Sequence, residues 1–338
     1  MRVFQIQDDW SVDNLKIAER PKQEPGPAQV LLKMKAASLN YRDLVVLQKG
    51  YGHLTGTLPL IPVSDGVGVI VETGKSVKIF KPGDRVCPMF MPEWKSGEPT
   101  KEIITSTLGG PIDGVMTEYM LINEKSISAV PDFLSDKEAS TLPCAALTAW
   151  TALHIEGGVK KGDKVLIQGS GGVSIFALQF AQHLGAEVFI VSGSDKKLER
   201  AITLGAKNGL NYNTIPEWGK EINKMAGKDG IDHIVDVGGE KTLPQSLRAV
   251  RPGGTISLIG VLSGAKMNVN LGLIVTRKIR LQGITVGHRE GFKEMTEFID
   301  KHQIIPVIDK VFAFEELPVA FKYLASGKHF GKVCIKHE

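Results

Sequence analysis

The residues with the clearest chemical use are glycines. Gln168-Gly169-Ser170-Gly171-Gly172-Val173-Ser174 follows a short apolar run and opens a helical pattern. Glycine lets a chain turn tightly, and here Gly169, Ser170, Gly171, Gly172 and Val173 would bring backbone N–H groups up to a pyrophosphate. The start of a helix adds a favourable field for that anion. The full G-x-G-x-x-G pattern asks for a third glycine where this chain has Ser174. The bare match therefore also fits an ordinary tight turn; its place between a strand and a helix favours a dinucleotide.

Selectivity for the ribose is read at the end of the next strand, ~20 residues past the glycines, where an acid would bind the 2′-hydroxyl. That strand ends in Ser192-Gly193-Ser194, with no acid. Asp195 follows as a helix N-cap, and Lys197 lies in the first turn. Small hydroxyls and a cation suit a 2′-phosphate; Lys197 also suits a solvated helix face. Val235-Asp236-Val237-Gly238-Gly239 and Gly260-Val261-Leu262 end later strands. Ligands of such sheets lie outside the carboxyl ends of the strands, so Gly238 and Val261 would border the other half of the dinucleotide.

Such a loop is positioned by alternating strands and helices. Strands are expected at 165–167, 188–191, 231–237, 255–259 and 279–283, with helices at 173–184 and 195–204. This alternation predicts a parallel sheet covered on both faces. The first 125 residues read instead as strands and turns, including 30–34, 66–71 and 85–89, with a long polar loop at 92–113. Helical spacing appears at 135–153, and from 304 the chain returns to strand and turn character, ending in a strand at 332–336. The expected organisation is 1–125 for one domain, 126–303 for the dinucleotide domain inserted into it, and 304–338 for the return.

Composition sets the bounds. The 338 residues are 42% hydrophobic and 23% charged with a net charge of +4, so a sizeable core is expected rather than disorder. Basic residues are spread along the chain, which argues against a nucleic-acid partner. No run approaches the ~20 apolar residues of a membrane span, and no apolar leader opens the chain. Three widely spaced cysteines, Cys87, Cys144 and Cys334, suit reduced thiols in a cytoplasmic protein.

Several segments together resemble a known family. They are Ser38-Leu39-Asn40-Tyr41-Arg42-Asp43, Ile61-Pro62-Val63-Ser64-Asp65-Gly66-Val67-Gly68, Lys81-Pro82-Gly83-Asp84-Arg85-Val86, Leu142-Pro143-Cys144-Ala145-Ala146-Leu147-Thr148-Ala149-Trp150, the glycine loop, Gly193-Ser194-Asp195-Lys196-Lys197-Leu198 and Gly327-Lys328-His329-Phe330-Gly331-Lys332. The chain resembles the medium-chain dehydrogenase/reductase superfamily over essentially its whole length, and within it the zinc-free quinone oxidoreductase group. The resemblance implies an α/β protein: a Rossmann doubly wound parallel sheet plus a β-rich GroES-like catalytic domain. It implies a nicotinamide cofactor, with Ser192, Lys197 and Tyr212 on the 2′-phosphate and so NADPH rather than NADH. It also implies that Gly287 and the Phe330-Gly331-Lys332 turn lie near the cofactor or a subunit interface, and that strand 279–283 pairs across a homodimer.

In zinc-dependent members a Cys, a His and a second Cys or Asp hold the metal. The corresponding positions resemble Asn40, Ser64 and Cys144 here, with Asp65 in place of a Glu. A catalytic zinc needs three protein ligands, so no zinc is expected and Cys144 reads as a small buried residue.

Without a metal, reduction of a quinone or an α,β-unsaturated carbonyl compound needs less help than oxidation of a simple alcohol. Hydrogen-bond donors must meet the charge developing on oxygen, and a proton must arrive. Asn40 can donate through its amide. Tyr51 resembles the proton-donating tyrosine of related enoyl reductases, and equally a tyrosine that only shapes a pocket. Asp43 could orient a neighbour or pair with Arg42. The competing expectations are a zinc-free alcohol or aldehyde dehydrogenase and, from another class, a nucleotide- or RNA-binding protein without turnover.

Overall fold

The strand Gln29–Leu39 is buried at nearly every position, not on alternate ones. It is paired on both edges: antiparallel to Asp65–Thr73, to Tyr119–Asn123 and to Lys332–Lys336. The registers set Ser38 opposite Asp65, and Leu39 opposite Val333. Residues 40, 64–65 and 332 therefore gather at one end of the sheet, although 332 lies 292 residues beyond 40 in the chain.

The structure is a computed structural model that describes residues 1–337. It divides into two compact units: Met1–Leu147 together with the segment from Gly287 onward, and Thr148–Val286. The breaks thus fall at 147/148 and 286/287, against the 125/126 and 303/304 read from the sequence. The reason is local pairing. Ile127–Ala129 completes the first unit's sheet against Arg85–Pro88, and the helix Arg289–His302 packs on Ile127–Ala129.

The first unit holds a seven-stranded sheet in the order Ile308–Ala313, Lys332–Lys336, Gln29–Leu39, Asp65–Thr73, Arg85–Pro88, Ile127–Ala129, with Tyr119–Asn123 also on Gln29–Leu39. Its core includes Leu32, Met34, Ile70, Val86, Phe321 and Val333. Ile308–Ala313 and Lys332–Lys336 run parallel, which requires a crossover. The helix Leu317–Ala325 supplies it, where the sequence suggested only strand and turn.

The second unit holds six parallel strands in the order Asn208–Asn211, Glu187–Ser192, Lys164–Gln168, Ile231–Asp236, Val250–Leu258, Arg280–Gly283. This is the doubly wound order 3-2-1-4-5-6, whose switch point lies between the first and fourth strands. Those are Lys164–Gln168, which feeds the glycine loop, and Ile231–Asp236. Leu166, Phe189, Trp218, Ile234, Leu247 and Ile256 fill the core.

Two other regions differ from expectation. The helical run at 135–153 is interrupted by wide turns at Leu142–Ala146 and Thr151–Ile155. The polar loop at 92–113 carries a short helix, Lys101–Ile104, capped by Thr100. Among the described residues no helix is long and apolar enough to cross a membrane.

Candidate active site

In the second unit Gly169 turns the chain with φ +75°, and the helix Gly172–His183 begins with Gly171 as its N-cap. No side chain caps that end, so its N–H groups are left for an anion. Ser174 stands in for the third glycine because its hydroxyl turns inward and donates to the Gln168 carbonyl at 2.7 Å. Beneath the loop lies a lattice that sequence reasoning missed. The buried Asp236 accepts from Gln168 Nε2 at 3.0 Å, Ser246 Oγ at 2.7 Å, Thr242 Oγ1 at 2.6 Å and the N–H groups of Gly238 and Gly239 at 3.1 Å. It ties the ends of Lys164–Gln168 and Ile231–Asp236 together. Gly238 is glycine because a Cβ there would meet Thr242 Cγ2 at 2.4 Å. Val261 is 58% exposed.

At the far corner Ser192 is buried at the end of Glu187–Ser192. Tyr212 follows the neighbouring strand; its N–H donates to the Ser192 carbonyl at 3.1 Å, and its ring lies over Gly193. The strand that brings it there, Asn208–Asn211, was not foreseen. Ser194, not Asp195, is the N-cap of Asp195–Thr203. Asp195 accepts from Asn211 Nδ2 at 2.8 Å. Ser192, Ser194 and Tyr212 thus share one corner, with Lys197 in the first turn of the adjoining helix. The loop and this corner together suit a dinucleotide.

The first unit gathers polar groups of another kind. Asn40 ends the strand Gln29–Leu39 and starts the helix Tyr41–Leu47, where Asp43 Oδ2 accepts the Asn40 N–H at 2.8 Å. Asp43 Oδ1 is buried without a partner. Burial pushes the Asp43 carboxyl up to about 6, against the pull of the Arg42 guanidinium. Arg42 sends its hydrogen bonds to Leu108, Thr107 and Gly110, anchoring the end of the polar loop instead of bonding Asp43. Lys332 Nζ donates to the Leu39 carbonyl at 2.8 Å and to Asn40 Oδ1 at 2.6 Å. Gly331 sets up this turn with φ +81°, and a Cβ there would meet the Val307 carbonyl oxygen at 2.3 Å.

Asp65 is fully buried and accepts from Ser64 Oγ at 2.9 Å and the Cys144 N–H at 3.1 Å. Burial raises its carboxyl, while Lys332 and these bonds hold the rise back. Burial, and then the Asp65 charge, push the Cys144 thiol far up. Tyr51 is 43% exposed, with the Arg42 guanidinium 5.7 Å from its ring centroid; partial burial raises its phenol. Gly287 precedes His288, which caps the helix Arg289–His302 by accepting from the Gly291 N–H at 2.9 Å, and Phe330 is 1% exposed.

These donors do not fit zinc. Ser64 is engaged with Asp65, the Cys144 thiol is held protonated, and the Asn40 carboxamide oxygen already receives a buried ammonium. A zinc ligand must present a thiolate, imidazole or carboxylate lone pair. Among the described residues no three His, Cys, Asp or Glu side chains converge on a metal position.

With this geometry in place, the comparisons with known proteins are informative. Residues 26–132 match the family described as alcohol dehydrogenase GroES-like domain, and residues 172–301 the family described as zinc-binding dehydrogenase. A zinc-type alcohol dehydrogenase-like protein of Schizosaccharomyces pombe is 43% identical over 98% of each chain. An acryloyl-coenzyme A reductase of Sulfurisphaera tokodaii is 29% identical over 95% of this chain and 96% of its own. A crystal structure from Sinorhizobium meliloti 1021, described as an alcohol dehydrogenase, superposes with a TM-score of 0.93 at 42% identity, covering 99% of this chain and 98% of that one. The β-rich first unit, the doubly wound second unit and these matches agree: the chain belongs to the medium-chain dehydrogenase/reductase superfamily of oxidoreductases.

Proposed function

We propose that this protein is an NADPH-dependent reductase that transfers hydride, without zinc, to a quinone or an α,β-unsaturated carbonyl compound. The observation that carries the reading is the Lys332 ammonium on Asn40 Oδ1, at a position where zinc-dependent relatives would present a thiolate. The nicotinamide, when bound, supplies the hydride. Asn40 then donates from Nδ2 to the oxygen on which negative charge builds. Tyr51, whose raised phenol keeps its proton at neutral pH, delivers that proton and recovers it from solvent. Asp43 holds the Asn40 backbone in place. The unobstructed helix start at Gly172–His183 receives the pyrophosphate, and Ser192, Ser194, Lys197 and Tyr212 select the 2′-phosphate. Gly238 and Val261 border the cofactor in the second unit; Gly287 and Phe330 are the first unit's candidates for contact with it. The acryloyl-coenzyme A reductase relative, by its name, acts on an activated double bond of this kind.

The test follows NADPH and NADH oxidation against quinones, enones and unsaturated acyl-CoA esters, with and without a chelator. Turnover with NADPH, indifferent to chelator, is expected; a chelator-sensitive rate or equal use of NADH contradicts the reading. The second reading is a zinc-free alcohol or aldehyde dehydrogenase; the relatives described as alcohol dehydrogenases favour its substrate class, though one is described as zinc-type. It requires alcohol turnover with no enone reduction. The strand Arg280–Gly283 ends the sheet and leaves Leu281 36% exposed. Pairing of that edge across a homodimer would cover it, and sedimentation of the protein measures this. Three free thiols, two of them buried, suit the reducing cytoplasm.

A further inference from the structure

Lys332 is 2% exposed. A lysine so enclosed ordinarily keeps a carboxylate as its direct partner. Here its hydrogen bonds run to two neutral oxygens, the Leu39 carbonyl and Asn40 Oδ1. Asp65 and Asp43 lie near enough to feel its charge, so the ammonium has counter-charges nearby while its directional bonds serve Asn40.

Those bonds decide which way the carboxamide points. With Oδ1 on the ammonium, Nδ2 lies on the opposite side, because a flipped amide would set N–H against N–H. Nδ2 is itself buried and makes no hydrogen bond of good geometry, although it faces the Asp65 carboxylate closely enough to help hold that group in its charged form. A buried amide donor left without an acceptor is costly, and such a group is a natural place for an acceptor from outside the chain.

We propose that Lys332 is a positioning residue for the reaction: its ammonium locks the Asn40 carboxamide with Nδ2 directed to the substrate's carbonyl or quinone oxygen, and polarises that amide into a stronger donor. The effect grows as charge develops on the substrate oxygen, so it acts on the transition state more than on substrate binding. Lys332 transfers no proton and makes no bond in the reaction. This inference rests on the reductase reading above, in which Asn40 meets the substrate.

The test is a double-mutant cycle with NADPH, using cyclohexenone and benzoquinone as probes. Lys332→Met and Asn40→Ala are each expected to lower kcat about 100-fold, with the KM for NADPH changed less than about threefold. The double variant is expected to be no worse than Asn40→Ala alone, because the lysine acts through that amide. Lys332→Gln keeps a neutral donor and is expected to lose about 10-fold; it carries the test if the methionine variant does not fold. Losses that multiply in the double variant overturn the proposal. So does a loss confined to the KM for NADPH, which would make Lys332 a cofactor contact. If the unaltered protein reduces neither probe, the reductase reading fails by itself. The link is then read from the Asn40 side-chain amide signals in isotope-labelled protein. They must shift in Lys332→Gln, and unchanged signals overturn the proposal.

Discussion

Asp236 and Asp43 are both buried acids, one in each unit, and their surroundings differ sharply. Asp236 accepts from three side chains and two backbone N–H groups. Asp43 accepts from one backbone N–H, has a second oxygen with no partner, and stands beside an amide donor in the same condition. Buried charge is tolerated when its hydrogen-bonding capacity is filled. The second unit has filled it around the switch point, which makes a rigid base for the glycine loop. The first unit has left capacity open around Asn40, where the proposed substrate oxygen would bind.

The comparison breaks if the two acids respond alike to neutralisation. Asp236→Ala removes the shared acceptor of five donors, two of which keep a second partner, and is expected to cost about 3–4 kcal/mol of stability in urea unfolding, with loss of NADPH binding. Asp43→Asn keeps the acceptor for the Asn40 N–H while removing a poorly solvated charge. Above pH 6 it is expected to stabilise the fold by about 1 kcal/mol while lowering turnover. A destabilised Asp43→Asn would remove the contrast.

Acidity separates the units a second way. In the second unit His233 is enclosed, with Nε2 on Ser257 Oγ at 3.0 Å, and burial depresses it from 6.5 to about 4. Between those values the unfolded chain binds more protons than the folded one, so stability falls as pH falls, by up to about 3 kcal/mol. Asp43 is raised from 3.8 to about 6. There the folded state binds more protons, so that contribution is complete below 3.8 and lost as pH rises through 6, by a similar amount of about 3 kcal/mol. Unfolding free energies measured across this range should flatten at the acid side in His233→Gln and steepen there in Asp43→Asn. Parallel curves for the two variants would mean that neither group is buried as described.

The second unit's candidate cofactor features could be named from the sequence because they are local. The glycine loop, the acid-free end at Ser192-Gly193-Ser194 and the adjoining helix lie within short stretches whose residue types state their geometry. The strand Asn208–Asn211 was hidden because Asn-Gly-Leu-Asn has turn composition, and only pairing with Glu187–Ser192 makes it a strand. The first unit's chemistry was legible only as a set of candidates. Lys332 and Asn40 are 292 residues apart, and their contact is created by an antiparallel register that no local pattern encodes. Adjacency left Asp43 either orienting a neighbour or pairing with Arg42; the helix start turns Asp43 onto the Asn40 backbone and Arg42 toward the loop.

The corner proposed for the 2′-phosphate sharpens the comparison at smaller amplitude. Lys197→Ala removes one charge-assisted contact and should raise the KM for NADPH about 10-fold, leaving that for NADH unchanged. A loss with both cofactors would assign the lysine to general folding and would favour its solvated reading.

The smallest effect is expected at Gly193. Its backbone does not require glycine, since its φ lies outside the positive region, but a Cβ would meet Tyr212 Oη at 2.8 Å and ring carbons at 2.9 Å. Tyr212 is 42% exposed, so its ring can swing away into solvent. Gly193→Ala should therefore leave the melting temperature nearly unchanged and weaken NADPH binding by a few-fold, about 0.5–1 kcal/mol. Tyr212→Phe should give a similar shift, and the two changes together should not add, because both act by taking the same phenol from the same phosphate. Additive losses would mean that the alanine disturbs the loop itself. The second unit's corner would then be as tightly built as its switch point, and no freely adapting part of the cofactor site would remain in that unit.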